Sequence, residues 1–266
     1  MRSLALILSL LATPLSAHEF WIEPLAYQVA ADGTLEADIV NGEEFTGGKQ
    51  AYLPQRFVNF LLFSGDDVTR VEGRPGDMPA LNQDAPAEGL VVAGYQAVNA
   101  TVNYEEWEKF QRFVDHKDFG DIRSLHDARG ISPDGFREVY SRYAKTLFGV
   151  GDSVGVDRRV GLETEIVALT NPYTDDLASG MQVQVYYRNG LRADTQVEVF
   201  EKAENGAVEI SLYRTDADGI ATFPVKPGFH YMVDAVVLRE PTAALQEASG
   251  AVWETLWANL TFAVPE

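Results

Sequence analysis

The stretch VQVYYRNGLRADTQVEVFEKAENGAVEISLYRTDADGIATF, residues 183–223, carries the pattern that decides the fold. Val183, Val185 and Tyr187 alternate with polar neighbours, which makes one face of an extended strand apolar. The runs 197–200, 208–212 and 220–223 follow at short intervals and are rich in Val, Ile and Phe. Asn189-Gly190, Asn205-Gly206 and Asp218-Gly219 fall between or beside them, where residues tolerant of positive φ suit tight turns. Short strands punctuated in this way predict an immunoglobulin-like β-sandwich over residues 151–266.

Working outward, residues 18–103 read as a second, N-terminal β module. Ala51 to Phe63 alternates around Phe57, Asn59, Leu61 and Phe63, and Leu90 to Val102 holds another alternating run. Between the two, Gly65 to Glu88 is rich in Gly, Asp, Pro and Ala and reads as a long loop or hairpin connection. Residues 104–150 read as a helical segment. Trp107, Phe110, Phe113 and Val114 form one apolar stripe at spacings of three and four, which predicts a core-facing helix. Ser132-Pro133 has the form of a helix start, Phe136, Val139, Tyr140, Tyr143 and Leu147 continue with helical spacing, and Gly149 and Gly151 close it. The expected fold class is therefore mainly β, with β-sandwich modules flanking a short helical segment.

Residues 1–17 have the form of an export signal. Arg2 supplies a positive start, Leu4 to Leu11 is apolar except for Ser9, and Leu15-Ser16-Ala17 is a workable cleavage site. Cleavage after Ala17 would leave His18 as the first mature residue. Its α-amine and ring Nδ1 could then chelate one Cu(II), Ni(II) or Zn(II) ion. Removing residues 1–17 takes away one basic residue and no acid, so the formal charge of −19 becomes −20. Such a surface disfavours nucleic acid and anionic lipid and is compatible with cations. With no cysteine in the chain, disulfides, thiolate metal sites and cysteine nucleophiles are excluded. No apolar run after the signal reaches the roughly 20 residues that span a bilayer. The expected product is a soluble periplasmic protein.

The chain has four histidines: His18, His116, His126 and His230. Period two along Phe229 to Ala235 puts His230, Met232 and Asp234 on one strand face and Tyr231, Val233 and Ala235 on the other. If the second set faces the core, the first offers three metal-ligand types together, or else a solvated outer face. His116 and His126 flank the polar run Lys117-Asp118-Phe119-Gly120 and are expected at the surface. Asp216-Ala217-Asp218-Gly219 has Ile220 where a calcium loop wants Asp or Asn, and reads as a hairpin turn instead. There is no G-x-S-x-G elbow, phosphate loop or H-E-x-x-H helix.

Several strings together resemble a known family. They are His18-Glu19-Phe20-Trp21 with Glu23-Pro24, and Asn41-Gly42-Glu43-Glu44-Phe45 with Gly47. Further on come Tyr140-Ser141-Arg142-Tyr143-Ala144-Lys145-Thr146-Leu147, then Thr215-Asp216-Ala217-Asp218-Gly219 with Phe223, and Leu260-Thr261-Phe262. The chain resembles, over nearly its whole mature length, an exported domain-of-unknown-function family that includes periplasmic proteins associated with nickel and cobalt uptake. The resemblance implies β-sandwich modules and a transition-metal role centred on the mature N-terminal histidine. It departs from the family pattern near Val236 and Val237, where relatives carry a histidine and this chain has none.

The leading expectation is a non-enzymatic periplasmic protein that binds Ni, Co or Cu through His18 and His230 and supplies a membrane metal transporter. Two others stand beside it. One is an immunoglobulin-like envelope adaptor that binds no metal. The other is a copper oxidative enzyme built on an N-terminal histidine, which would need an exposed aromatic surface that the sequence does not place.

Overall fold

Residues 19–266 are described in the computed structural model, so the expected signal segment, its expected cleavage site and His18 lie outside the described residues. The chain opens with β1 (Glu19–Pro24), β2 (Gln28–Val29), β3 (Thr34–Glu43) and β4 (Thr46–Gln50). It continues through β5 (Phe57–Ser64), β6 (Asp67–Arg70), β7 (Leu81–Asp84), β8 (Gly89–Ala97) and β9 (Ala100–Tyr104). Helices α1 (Trp107–His116) and α2 (Ile122–Ala128) lead into the long strand β10 (Phe136–Val150). Then come β11 (Thr164–Ala168), β12 (Met181–Tyr187), β13 (Gly190–Leu191), β14 (Gln196–Lys202), β15 (Val208–Arg214) and β16 (Ile220–Phe223). The last elements are β17 (His230–Arg239), α3 (Ala243–Ser249) and β18 (Trp253–Ala263).

The protein is mainly β, and its strands form three layers. The central sheet runs β15-β14-β17-β18-β10-β8-β5-β6, with β2 and β9 also pairing with β10. One outer sheet is β1-β3-β4 with β7 on β3, and the other is β11-β12-β13 with β16 on β12. The strand period assigns side chains to two cores. Phe60, Leu62, Val91, Ala93, Ala144 and Phe148 meet Ile22, Leu35 and Ile39 of the first outer sheet. On the opposite face Phe63, Val92, Leu147, Val233, Leu260 and Phe262 meet Val183, Val185 and Phe223 of the second. The two sandwiches thus share one continuous middle layer.

Residues 136–147, expected to be helical, are strand. In β10 Ala144, Phe148 and Val150 enter one core while Leu147 enters the other. A strand buried on both faces carries apolar residues at every spacing, so its threes and fours imitate a helix. Ser132-Pro133 starts no helix; the Ser132 hydroxyl bonds locally around Asp134. Residues Glu138–Thr146 pair in parallel with Trp253–Thr261 of β18, and the two ends of β10 pair antiparallel with β9 and β8. The earlier stripe is helical as read: α1 buries Trp107, Phe110, Phe113 and Val114 against Phe136, Val236, Trp253 and Trp257.

Asn205-Gly206 lies in the turn joining β14 to β15, and Gly190 opens β13 after its turn. The Asp216–Gly219 segment is a turn but not a hairpin. It carries the chain from β15 in the central sheet to β16 in an outer one. Asp216 Oδ1 accepts the N–H groups of Asp218 and Ile220, both at 2.9 Å, so its carboxylate serves the turn.

Candidate functional site

The face of the central sheet that meets β1 is only partly apolar. Helix α1 covers one region of it and the β1-β3-β4 sheet another, and charged groups collect in the seam between them. On β17 the alternation holds: Tyr231, Val233 and Ala235 enter the core with Val183. The other face, considered as a ligand or solvated face, is covered instead. Met232 packs against Trp21, Val40, Phe45 and Phe200, and Asp234 is buried beneath the seam.

The seam is built on Asp234, Glu198 and Lys117. Asp234 pairs across strands with Glu198 on one side and Asn259 on the other, so these side chains share a face. Lys117, just past the end of α1, sends its ammonium to Glu198 Oε2 at 2.9 Å and Asp234 Oδ2 at 3.0 Å. The same ammonium lies 4.8 Å from the centre of the Trp257 ring. His116 reaches the other oxygen of Glu198, with Nε2 3.2 Å from Oε1. Both polar atoms of Asn259 are buried without a hydrogen-bond partner. A buried amide in that state forgoes two or more hydrogen bonds, which marks a place where polar atoms belong.

Glu19, the first described residue, enters this seam. Burial and the nearby Asp234 and Glu198 carboxylates push its pKa up to about 7, with the Lys117 ammonium opposing. Burial likewise raises Asp234, and Lys117 offsets that only in part. Burial would raise Glu198 too, but the His116 hydrogen bond and the Lys117 ammonium outweigh it and hold this carboxyl below its ordinary value. The bond to Glu198 raises His116, and burial is the main opposing influence. Burial works against the charge on Lys117, but Asp234, Glu198 and Glu19 win and raise its pKa.

The β3–β4 hairpin clamps β1 here. The N–H of Glu44 donates to Glu19 Oε2 at 3.2 Å. Glu43 pairs with Thr46, leaving Glu44 and Phe45 as a two-residue turn with φ of 51° and 57°. Positive φ at both positions matches a type I′ turn, usually given to Asn and Gly. Phe45 is driven into it by packing, since its ring is fully buried edge-on to Trp21 with centroids 5.5 Å apart. Lys202 holds the turn from the central sheet, donating to the Phe45 carbonyl at 3.3 Å and to Glu23 at 3.1 Å. Gly42 and Gly47 face each other at the hairpin base, and a Cβ on Gly42 would lie 2.1 Å from the Thr46 carbonyl oxygen.

The other histidines lie elsewhere. His230 is exposed, its ring 4.8 Å from that of Tyr27, with burial and then Lys202 lowering its pKa. Four residues of strand, about 13 Å, separate it from Asp234. His126, expected at the surface, is fully buried: Nδ1 accepts from the Trp253 indole at 3.0 Å and Nε2 donates to the Ser132 carbonyl at 3.0 Å. Its polar sequence neighbours hid an aromatic pocket formed by Trp107, Phe136 and Trp253. His116 is exposed, as read, yet it is the imidazole at the seam. Among the described residues no group of three or more His, Asp or Glu side chains is arranged to hold a metal ion.

The fold and seam define a class: a three-layer β protein whose N-terminal strand closes a buried, mixed-charge site. The chain belongs to the family described as a domain of unknown function (DUF4198), which matches residues 15–239. No curated protein matches it. Among solved structures it is similar to a tetra-tandem repeat in the extending region of a large adhesion protein, at 11% identity and a TM-score of 0.20. That similarity covers 92% of this chain and 49% of the other, so the chain spans about half the length of that structure.

Proposed function

We propose that this is an exported periplasmic protein, cut after Ala17, that binds Ni, Co or Cu as cargo through His18 and supplies it to a membrane transporter. One observation carries the reading. Glu19 is fixed in a seam that holds the His116 imidazole, two further carboxylates and the unpartnered Asn259 amide. Cleavage after Ala17 would leave an amine and an imidazole on the residue immediately before Glu19. The described groups would then add one imidazole and a negative field, while Lys117 keeps Asp234 and Glu198 from acting freely as ligands. An incomplete protein ligand set suits a carrier that must release its metal. His116, whose charge interacts with that of Glu19, is the second imidazole this arrangement favours over His230.

Calorimetric titration of the mature protein with Ni(II), Co(II) and Cu(II) tests the reading. Placing one Ala before His18 keeps the imidazole but turns its amine into an amide, and affinity should fall by at least the roughly 10- to 100-fold typical of losing an outer-shell partner. His116→Ala should weaken binding and His230→Ala should leave it unchanged. Binding should decline below about pH 6 as protons compete for amine and imidazole. Equal affinity with and without the added Ala overturns the proposal.

A further inference from the structure

A second buried charged group lies on the opposite face of the central sheet from the seam, towards the second outer sheet, with Lys145 one residue along β10 from the partner of Asn259. Lys145 of β10 is fully buried, and its Nζ is 2.8 Å and 3.0 Å from the two carboxylate oxygens of Asp157. The same nitrogen lies 3.1 Å from Glu165 Oε1 and 3.1 Å from the Arg158 carbonyl. The side chains of all three ionisable residues are at most 1% exposed. Two carboxylates against one ammonium leave a net negative charge in a dry site, an arrangement whose desolvation cost ion pairing offsets poorly.

We propose that Lys145 and Asp157 condense into an intramolecular amide, with Glu165 as the proton carrier. The Lys145 ammonium passes a proton to Glu165, and the freed nitrogen lone pair attacks Asp157 Cγ. With both Asp157 oxygens within 3.0 Å, the carbon between them is at near-attack range, where fixed geometry is worth an effective concentration of about 10⁵ M or more. The Arg158 N–H, 2.7 Å from Oδ1, and the Ala168 N–H, 2.8 Å from Oδ2, already point at the oxygens on which negative charge develops. Glu165 returns its proton to one of these oxygens, and a second nitrogen proton follows by the same route. That oxygen leaves as water as the C–N bond is completed. Ammonium plus carboxylate becomes amide plus water, so atoms and charge balance with no outside reagent. The amide N–H is left facing Glu165, which the backbone N–H groups of Val160, at 2.7 Å, and Leu162, at 3.3 Å, continue to hold. Two buried charges disappear, and exclusion of water from the site disfavours reversal.

The test is the intact mass of the full exported chain, measured after denaturation. The expected mass is one water below that of the mature sequence. Trypsin should then leave residues 143–158 as a single peptide, uncut at Lys145 and one water light. Glu165→Gln and Lys145→Arg should restore the full mass, and the wild-type measurement decides the matter even if those variants fold poorly. A wild-type chain of full mass, a water loss mapping to Asp218-Gly219, or a link from Lys145 to Glu165 would each overturn the proposal.

Discussion

Lys117 shows how much one side chain can decide. It pairs with two carboxylates that reach it from 81 and 117 residues away in sequence. Lys117→Met keeps much of the length and apolar stem but removes the ammonium shared by Glu198 and Asp234, leaving Asp234 without its ion pair and Glu198 with His116 alone. Breaking a buried pair in this way costs about 3–5 kcal/mol, to be read from urea unfolding of metal-free protein. The pH dependence supplies the sign. Glu198 is held low in the native protein, so its contribution is present above the unfolded carboxyl pKa and is lost as pH falls. Without the ammonium, burial and the Glu198 charge raise Asp234 further, while Glu198 keeps only its His116 bond against its own burial. The variant then binds more protons folded than unfolded and loses stability as pH rises. It should be hurt more at pH 8 than at pH 4.5, and an equal loss at both would contradict this account of the seam. Little of this was legible beforehand. Lys117 stands in a polar run beside His116, and a lysine is ordinarily a surface residue; its burial follows from acids supplied by β14 and β17.

At the scale of elements, legibility depended on how many faces of a strand are covered. In residues 183–223 the turn dipeptides punctuated the runs, so strands and most turns could be read. β10 failed because both of its faces are buried, and β17 was read correctly in its alternation but not in what covers its second face. The β3–β4 hairpin shows a different limit. Nothing about Glu44-Phe45 suggests a tight turn; the pairing of Gly42 with Gly47 and the burial of Phe45 impose it. Glu44 is exposed, so Glu44→Gly should relieve its positive φ and stabilise the protein by up to about 1 kcal/mol in thermal or urea melts. Gly42→Ala should do the reverse. Its Cβ would meet backbone rather than a yielding side chain, the hairpin base would open, and the Glu44 N–H would leave Glu19. In that variant the proposed metal binding should weaken together with stability, whereas Glu44→Gly should leave it intact.

At the scale of the molecule, the expectation of two β modules around a helical segment meets a structure in which both sandwiches use the same middle sheet. β18, the last strand in sequence, lies between β17 of the C-terminal half and β10 of the preceding segment. Nine consecutive residues of β10 pair with it, in parallel. Parallel pairing of strands this far apart in sequence needs both halves present, and it removes an edge that would otherwise be long and apolar. Lys145, with its partners Asp157 and Glu165, joins the same two halves across the boundary near residue 150. Unfolding should therefore be a single cooperative event, with calorimetric and van't Hoff enthalpies in agreement. A fragment of residues 151–266 would keep β11 to β18 but expose the β18 edge together with Leu256, Leu260 and Phe262, all buried in the intact protein. Produced alone it should aggregate or remain unfolded, and adding residues 18–150 as a separate chain should restore a soluble complex of one copy each. Two separate melting transitions, or a stable monomeric 151–266 fragment, would show instead that the shared sheet does not couple the halves. The seam bears on the same experiment, because Glu19, Lys117, Glu198 and Asp234 come from both fragments, so the proposed metal binding should be seen only in the reassembled pair.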